Sequence, residues 1–467
     1  MLFNSLSFLV FFGLVFSLYL LIRPWPARKA LLLVASYVFY AAWNPPYVLI
    51  LAFSTALDWW LARRIWKEDR PAYRRALLVV SLVANLSLLG FFKYGAFALT
   101  NAQWLLSLLG VQYMPPHWDI VLPVGISFYT FASLSYTIDV YRREIDADTT
   151  LPDYALFVAF FPHLVAGPIV RARALLPQIA RPVPITGEQV GWGLTLTMLG
   201  LACKSALADG VLAPVADELF RSPATQSGID AIAGIFAFAG QIYFDFGGYS
   251  LCAVGLALCF GFAFPDNFRF PYAARGFSDF WRRWHMSLST WLRDYLYIPL
   301  GGNRRGEWVS CRNLALTMLL GGLWHGASWT FVAWGALHAC FLIIERLARK
   351  CWAVSLNSRV GECVLTAVTF ICVCLAWIPF RAPDAGAALS VLKATSNPWH
   401  GASPAAMMAL AVMGISIAWQ WRMRDSSLEA AASRLPVPLR ALAAVVCMMA
   451  MFLASGGDDR AFIYFQF

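Results

Sequence analysis

Residues 229–264 read IDAIAGIFAFAGQIYFDFGGYSLCAVGLALCFGFAF and contain only two charged side chains, Asp230 and Asp245. A membrane-spanning helix needs about 20 mainly apolar residues, and this stretch exceeds that length. The whole chain has the same character, since 60% of its 467 residues are hydrophobic, 13% are charged and the mean hydropathy is +0.62. A soluble protein carries roughly 25% charged residues. The sequence therefore predicts a protein that folds in lipid.

Apolar segments recur along the chain. Clear ones lie near residues 3–22, 76–94, 119–140, 189–209, 229–264, 314–345, 359–380, 404–421 and 437–455. Two more, 30–57 and 155–170, are apolar but interrupted by prolines. We therefore expect an all-α polytopic fold with on the order of 9 to 12 transmembrane or re-entrant helices. The first segment lacks a basic leader and a small-residue cleavage site, which is typical of a retained helix.

The net charge of +10 lies between the apolar segments rather than in one tail. The densest cluster is Arg63, Arg64, Lys67, Arg70, Arg74 and Arg75. Such clusters are typical of cytoplasmic loops that meet anionic headgroups, so we expect membrane lipid rather than nucleic acid as the partner of this charge. Asn44-Pro45-Pro46 cannot continue a helix. Two short helices dipping in and out would keep the flanking basic loops cytoplasmic and the N-terminus outside.

The long polar stretch 265–313 contains FWRRWHMSLSTWLRDY at residues 280–295. At helical spacing, Trp281, Trp284, Leu288, Trp291, Leu292 and Tyr295 share one face, and Arg282, Arg283, Arg293 and Asp294 share the opposite one. This pattern predicts one amphipathic helix that lies in the membrane interface or lines a wet cavity. Gly301-Gly302-Asn303 predicts the turn that ends it.

A histidine lies in the apolar sequence GGLWHGASW, residues 321–329. Ionisable groups within a bilayer are costly, and they usually mark a function. The glycines allow a backbone or a substrate to approach closely, and a partly desolvated His325 beside Trp324 is suited to act as a general base. A core histidine bonded to a neighbouring carbonyl is the alternative, which this signal alone favours.

Three further polar positions stand out. His285 falls at the edge of the apolar face of the predicted amphipathic helix, where an interfacial histidine is the structural alternative. Asp245 precedes Gly247-Gly248, which predicts a broken helix lining a cavity or, alternatively, an Asp capping that break. His163 lies between Pro162 and Pro168 in a broken, re-entrant segment and is expected to be structural or pore-lining.

Other kinds of site lose support from the sequence. None of the ten cysteines forms a CxxC pair, so we expect them to act as small hydrophobic residues and expect no metal. There is no GxSxG, P-loop or HExxH motif, which disfavours hydrolase, ATPase and metalloprotease activity.

Six stretches, taken in order, resemble the membrane-bound O-acyltransferase family. They are FFPHLVAGPIVR (160–171), YFDFGGYS (243–250), FPDNFRFPY (264–272), FWRRWHMSLSTWLRDYLYIPLGGNRRG (280–306), LGGLWHGASWTFVAWGALHA (320–339) and FIYFQF (462–467). The similarity is to the bacterial branch that includes the membrane subunit of alginate O-acetyltransferase. One departure is the sequence after Asp245, where Gly247 replaces a serine and Leu251 a second acid, which weakens both a detailed role for that segment and the assignment to alginate.

The resemblance implies the roles of the site residues. His325 matches the family's catalytic histidine, His285 a second one implicated in activity, and Tyr464 a terminal tyrosine that relays the acyl group. Supporting roles are expected for Asp245, Ser250 and Trp324. Arg282 and Arg283 suit the phosphates of the donor. In this mechanism His325 accepts the proton of the attacking hydroxyl, while His285 polarises the thioester carbonyl or orients the donor.

The resemblance also implies substrates, partners and location. The expected protein is a multi-pass enzyme of the bacterial inner membrane, without a bound cofactor, that uses acetyl-CoA or an acyl-carrier thioester as donor. Its expected partner is a periplasmic SGNH-type acetyltransferase or a related acceptor protein, and the final acceptor is a polysaccharide: alginate-type, cellulose or peptidoglycan. A transporter or flippase for a polysaccharide or lipid intermediate is the alternative, although we find no inverted repeat.

A single transmembrane domain is expected to fill residues 1–467 around a central funnel. It would comprise N-terminal helices in 1–115, a catalytic core at about 119–350, C-terminal helices in 359–455 and the terminal hexapeptide 462–467.

Overall fold

The computed structural model describes residues 1–114, 120–165, 167–182, 184–351, 358–434 and 436–454. Within these ranges the protein is built from helices and contains no strand. The α-helices are α1 Leu6–Leu21, α2 Trp25–Ala41, α3 Tyr47–Lys67, α4 Pro71–Leu89, α5 Gly95–Leu108, α6 Ile126–Tyr141, α7 Leu151–Ala159, α8 Phe161–Leu164, α9 Ala172–Ala180, α10 Gly187–Ala202, α11 Ala213–Arg221, α12 Gly228–Cys259, α13 Phe277–Trp281, α14 Met286–Leu292, α15 Glu307–His325, α16 Trp329–Cys351, α17 Arg359–Arg381, α18 Ala385–Ala394, α19 Pro404–Met423, α20 Leu428–Arg434 and α21 Val437–Ala454. π-Helical turns at Gly90–Tyr94, Cys203–Leu212 and Arg293–Tyr297 continue α4, α10 and α14.

Six helical segments in the described residues are long and apolar enough to cross a bilayer. They are Pro71–Leu108, Gly187–Arg221, Gly228–Cys259, Trp329–Lys350, Arg359–Arg381 and Pro404–Met423, and shorter apolar helices lie at Leu6–Leu21, Ala385–Ala394 and Leu442–Met451. This confirms the predicted all-α polytopic membrane fold. The chain divides into two compact units, one formed by Met1–Leu194 with Ala253–Pro265 and the other by Thr195–Cys252 with Asp266–Phe467.

The first unit contains the breaks that prolines predicted. α2 ends at Ala41 and α3 begins at Tyr47, on either side of Asn44-Pro45-Pro46. α7 ends just before the one-turn helix α8, which carries Pro162. His163 in α8 is buried, and its Nε2 lies 3.0 Å from the carbonyl oxygen of Phe157. These contacts are those of a structural histidine.

In the second unit, α12 corrects one expectation. The helix runs from Gly228 to Cys259 through Gly247-Gly248 without a break, so Asp245 does not cap a broken helix. The reason is close packing. A Cβ atom on Gly248 would lie 2.5 Å from the carbonyl oxygen of Gly200 in α10, and one on Gly200 would lie 2.4 Å from that of Gly248. These glycines let two helix backbones touch instead of opening one helix.

A second correction concerns residues 280–295, which do not form one helix. α13 ends at Trp281, a turn follows, and α14 begins at Met286. His285 separates them in a left-handed backbone conformation, with φ of 41°. The expected burial is otherwise kept, since Trp284, Leu288, Trp291 and Leu292 are all buried. The break turns His285 into the core rather than to the edge of an apolar face.

α15 and α16 form a tight hairpin where the sequence suggested one apolar segment, residues 314–345. A Cβ on Gly322 would lie 2.3 Å from the carbonyl oxygen of Phe331, and one on Gly335 would lie 2.4 Å from that of Met318. Since ordinary van der Waals contact is about 3.5 Å, the two helices pack backbone to backbone. This confirms the expectation that a glycine beside His325 lets another backbone approach closely.

Candidate functional site

His325 is the last residue of α15, in the hairpin that the glycines bring together. Its side chain is 5% exposed. Aromatic rings surround the imidazole: Trp324, Trp334 and Phe380 have centroids 4.9, 5.0 and 5.4 Å from that of His325. The predicted base therefore lies among aromatic side chains that keep bulk water away, where an electrostatic interaction with a reacting group is stronger than in water.

His285, which directly precedes α14, lies beside His325. It is fully buried, and its ring centroid lies 6.4 Å from that of His325 and 6.0 Å from that of Trp324. Phe246 of α12 packs edge-on against it at 4.7 Å. Desolvation by this burial lowers the pKa of His285 to about 3, so the ring is neutral at physiological pH. The structure thus joins the two predicted histidines, which are 40 residues apart in sequence, in one buried pair.

A short irregular segment before α13 holds His285. The backbone N–H of Met286 donates to the carbonyl oxygen of Asn267 over 2.9 Å, and that of Arg269 donates to Arg283 over 2.9 Å. The Asn267 side chain is 2% exposed and its Oδ1 lies 3.0 Å from His285 Nδ1. Its Nδ2 donates to Ser250 Oγ on α12 over 2.9 Å. Ser250, predicted as a supporting residue, therefore contacts the histidine only through Asn267.

Asp245 belongs to a buried charge cluster in the second unit. Lys204, 1% exposed in the π-helical turn after α10, has its Nζ 2.9 Å from Asp245 Oδ1 and 2.9 Å from Asp209 Oδ1. Asp245 itself is 2% exposed. One ammonium group thus holds two carboxylates inside an apolar helix bundle, which explains why a charged residue is tolerated in α12.

The two arginines predicted to bind the donor have different surroundings. Arg282 is exposed. The Nε of Arg283 lies 2.9 Å from Asp279 Oδ1, and its Nη1 donates to the carbonyl oxygen of Arg424 over 2.9 Å. Arg283 therefore ties α13 to the end of α19, and Arg282 is the one whose guanidinium faces outward.

Two residues of this region, Asn267 and His338, were not predicted from the sequence. Asn267 was within a quoted motif, but a lone Asn in a polar loop carries no chemical signal. His338 of α16 is fully buried, stacked on Phe280 and edge-on to Trp334, which lies between it and His325. Neither ring nitrogen of His338 has a hydrogen-bond partner in the described part of the chain. Its signal was a histidine 13 residues after His325 in the same motif.

Trp324 and Tyr464 are the remaining residues that the sequence predicted for the site. Trp324 is buried and packs edge-on against His325. Tyr464 and the terminal hexapeptide 462–467 lie outside the described residues. Within the described residues, no group of three His, Cys, Asp or Glu side chains is placed to hold a metal ion. The nine cysteines described there are free thiols.

A buried imidazole pair within a polytopic helical protein is typical of a membrane enzyme. The sequence pattern of the membrane-bound O-acyltransferase family matches residues 73–378, and the chain belongs to that family. It is a membrane acyltransferase.

Relatives within the family agree with this assignment. The chain is 44% identical over 387 residues to a probable alginate O-acetylase of Azotobacter vinelandii, covering 82% of this chain and 76% of the relative. It is 37% identical over 394 residues to a peptidoglycan O-acetyltransferase of Helicobacter pylori, covering 78% and 73%. Similarity to a teichoic acid D-alanyltransferase of Bacillus subtilis is lower, at 26% over 291 residues, covering 57% and 70%.

Proposed function

We propose that this acyltransferase is an O-acetyltransferase of the bacterial inner membrane. It takes acetyl from a cytoplasmic thioester, acetyl-CoA or an acyl carrier, and passes it to an extracytoplasmic protein for O-acetylation of a polysaccharide. An alginate-type exopolysaccharide is the favoured acceptor, because the probable alginate O-acetylase is more similar to this chain than the peptidoglycan enzyme is. Cellulose or peptidoglycan would need the same chemistry at the membrane. No bound cofactor is required.

The observation that supports this proposal is the pair of buried histidines, with ring centroids 6.4 Å apart among aromatic side chains. His325 removes the proton from an attacking hydroxyl as its oxygen bonds to the thioester carbonyl carbon. The tetrahedral intermediate then expels the thiolate, and the imidazolium of His325 returns the proton to sulfur. An ester and a free thiol result, so atoms and charge balance. General base catalysis of this kind is worth roughly 10²- to 10⁴-fold in rate.

The donor's phosphates are proposed to bind at Arg282. Its guanidinium is exposed, whereas that of Arg283 is held by Asp279. Arginine recognises phosphate through paired charge-assisted hydrogen bonds, which suits coenzyme A or phosphopantetheine. Arg283 then serves by holding the segment that carries both Arg282 and His285.

The acyl group is proposed to reach the far side through Tyr464 of the terminal hexapeptide, whose match to the family motif supports the role. Its phenol would be the first hydroxyl acylated, and a serine of a periplasmic SGNH-type protein or related acceptor would be the second. Each step exchanges one ester or thioester for another, so neither needs a further source of energy.

The proposal is tested with purified protein in nanodiscs and [1-¹⁴C]acetyl-CoA. We expect release of free coenzyme A and label on the protein after an acid quench, with the label absent from Tyr464→Phe. Addition of the extracytoplasmic partner and alginate should move the label to the polysaccharide. Movement of an intact substrate across proteoliposomes without thioester cleavage would instead indicate a transporter and would refute the proposal.

A further inference from the structure

The contacts of Asn267 determine the proton positions on His285. The backbone N–H of Ser287 donates to Asn267 Oδ1 over 3.3 Å, and the hydroxyl of Ser287 donates to the same oxygen over 2.8 Å. A backbone N–H is only a donor, so the amide atom facing it is the oxygen. The amide nitrogen points the other way, to Ser250 Oγ at 2.9 Å.

Because the oxygen faces the ring, the hydrogen bond at His285 Nδ1 has one direction. Asn267 Oδ1 accepts, so Nδ1 donates across the 3.0 Å separation. A neutral imidazole with a proton on Nδ1 has a lone pair on Nε2. The desolvation that lowers the pKa of His285 keeps the ring in this neutral form.

The backbone keeps this arrangement in place. His285 has a left-handed conformation that only glycine adopts without strain, and hydrogen bonds from Met286 and Arg269 close the segment on both sides of it. Phe246 packs against the ring at 4.7 Å and limits its rotation. A flipped ring would lose the bond to Asn267 Oδ1, and Ser287 Oγ, 3.4 Å from Nδ1, is too distant to replace it at comparable length.

We infer that Asn267 is a positioning residue that fixes His285 as the Nδ1–H tautomer, so that His285 enters the reaction as a hydrogen-bond acceptor at Nε2. A neutral ring of this kind cannot donate to the thioester carbonyl, which removes carbonyl polarisation from its roles. The ring centroids lie 6.4 Å apart, a separation that one water hydrogen-bonded to each ring can span. Through it, His285 stabilises the imidazolium that forms on His325.

This inference rests on the proposed function for the role of His325, and two variants test it by pH profile. Asn267→Asp keeps an acceptor for Nδ1–H and makes His285 a better acceptor. Because a better acceptor stabilises the imidazolium of His325 more strongly, we expect the acidic limb of the pH profile of kcat/KM for coenzyme A release to move to higher pH. Asn267→Leu removes that acceptor, so kcat should fall about 10- to 100-fold with little change in KM, and the limb should move to lower pH.

Thr290→Val is the matched control, because among the residues that the structure describes the Thr290 hydroxyl donates to carbonyl oxygens of its own helix alone, those of Met286 and Ser287. The acidic limb of its kcat/KM profile should stay at the wild-type pH. Shifts of the same sign in both Asn267 variants, or no shift in either, would overturn the inference.

The tautomer can also be read without activity. The chain has six histidines, so ¹⁵N-histidine spectra are simple, and the signals lost in His285→Gln identify this residue. We expect a protonated Nδ1 and an unprotonated Nε2 at neutral pH, and a mixture of tautomers in Asn267→Leu. A protonated Nε2 in the wild-type protein would refute the inference. This measurement separates its failure from that of the proposed function, which would appear as an absence of coenzyme A release.

Discussion

Replacing Gly322 by alanine perturbs the position of His325 without touching its chemistry. The added Cβ would lie 2.3 Å from the carbonyl oxygen of Phe331 and 3.3 Å from the Cα of Gly335. These are backbone atoms of α16 and cannot swing aside. The first distance is roughly 1 Å short of van der Waals contact, so α15 must shift by about that amount. His325 follows three residues later, at the end of the same helix.

A displacement of about 1 Å in a catalytic group costs on the order of 100-fold in rate, and overpacking of this kind costs about 1–3 kcal/mol of stability. We therefore expect Gly322→Ala to insert and to remain folded, while coenzyme A release falls roughly 100-fold. The assay is the rate of thiol appearance with purified protein at saturating acetyl-CoA.

Gly321→Ala is the control, since the one atom of the described residues within 4 Å of its Cβ would be the end of the flexible Leu292 side chain, at 3.3 Å. It should keep most of its activity. Full activity in Gly322→Ala, or equal loss in both variants, would refute the idea that backbone contact between α15 and α16 sets the position of the base.

Three further predictions concern the charges around the site. Lys204→Met removes the ammonium group from buried Asp245 and half-buried Asp209, so it should cost about 3–5 kcal/mol of stability and clearly lower the melting temperature. Asp245→Asn leaves a one-to-one pair and should be milder; equal effects would contradict the cluster. The pKa of His285 is depressed to about 3 in the folded protein, against about 6.5 in the unfolded chain, so the unfolded chain binds the proton first as pH falls. The free energy of unfolding should therefore be roughly 1 kcal/mol lower at pH 5.5 than above pH 6.5. Melting temperatures at pH 7.5 and 5.5 should differ less in His285→Gln than in the wild type, and an equal difference would count against this. Arg282→Ala should raise KM for acetyl-CoA several-fold with kcat kept, while Arg283→Ala should chiefly lower the melting temperature; the reverse pattern would exchange their roles.

The membrane fold was predictable because its signals are local. Apolar length and low charge identify helices in lipid whatever the neighbours are. The prolines at Pro45-Pro46 and Pro162 interrupt helices through their own ring geometry, so the breaks at these positions also followed from the sequence.

The errors arose where a residue acts through a distant neighbour. Gly248 looked like a helix breaker, but it lies in a continuous helix whose contact is Gly200, 48 positions earlier. The break between α13 and α14 depends on the hydrogen bond from Met286 to Asn267, which helical periodicity does not reveal. Both features are set by tertiary packing, which overrides local preference.

The sequence predicted the two histidines of the candidate site but not all of the residues that surround and hold them. His325 stood out because an ionisable group is costly in apolar sequence, whereas the functional roles of His325 and His285 were implied by the family resemblance. The structure places the two histidines in one buried pair. Asn267 and His338 gave no comparable signal. An Asn in a loop and a third histidine in an apolar helix acquire meaning only from the groups that they face.

The rate of coenzyme A release by His325→Ala tests the central claim most directly. His163→Gln is the matched control, because that buried histidine lies 3.0 Å from the carbonyl oxygen of Phe157 and glutamine retains a polar nitrogen for this contact. We expect kcat to fall about 10²- to 10⁴-fold in His325→Ala, with normal membrane insertion and acetyl-CoA binding, and near wild-type rates in the control. Release within two- to three-fold of wild type, roughly the effect of no more than 0.7 kcal/mol on the barrier, would contradict it.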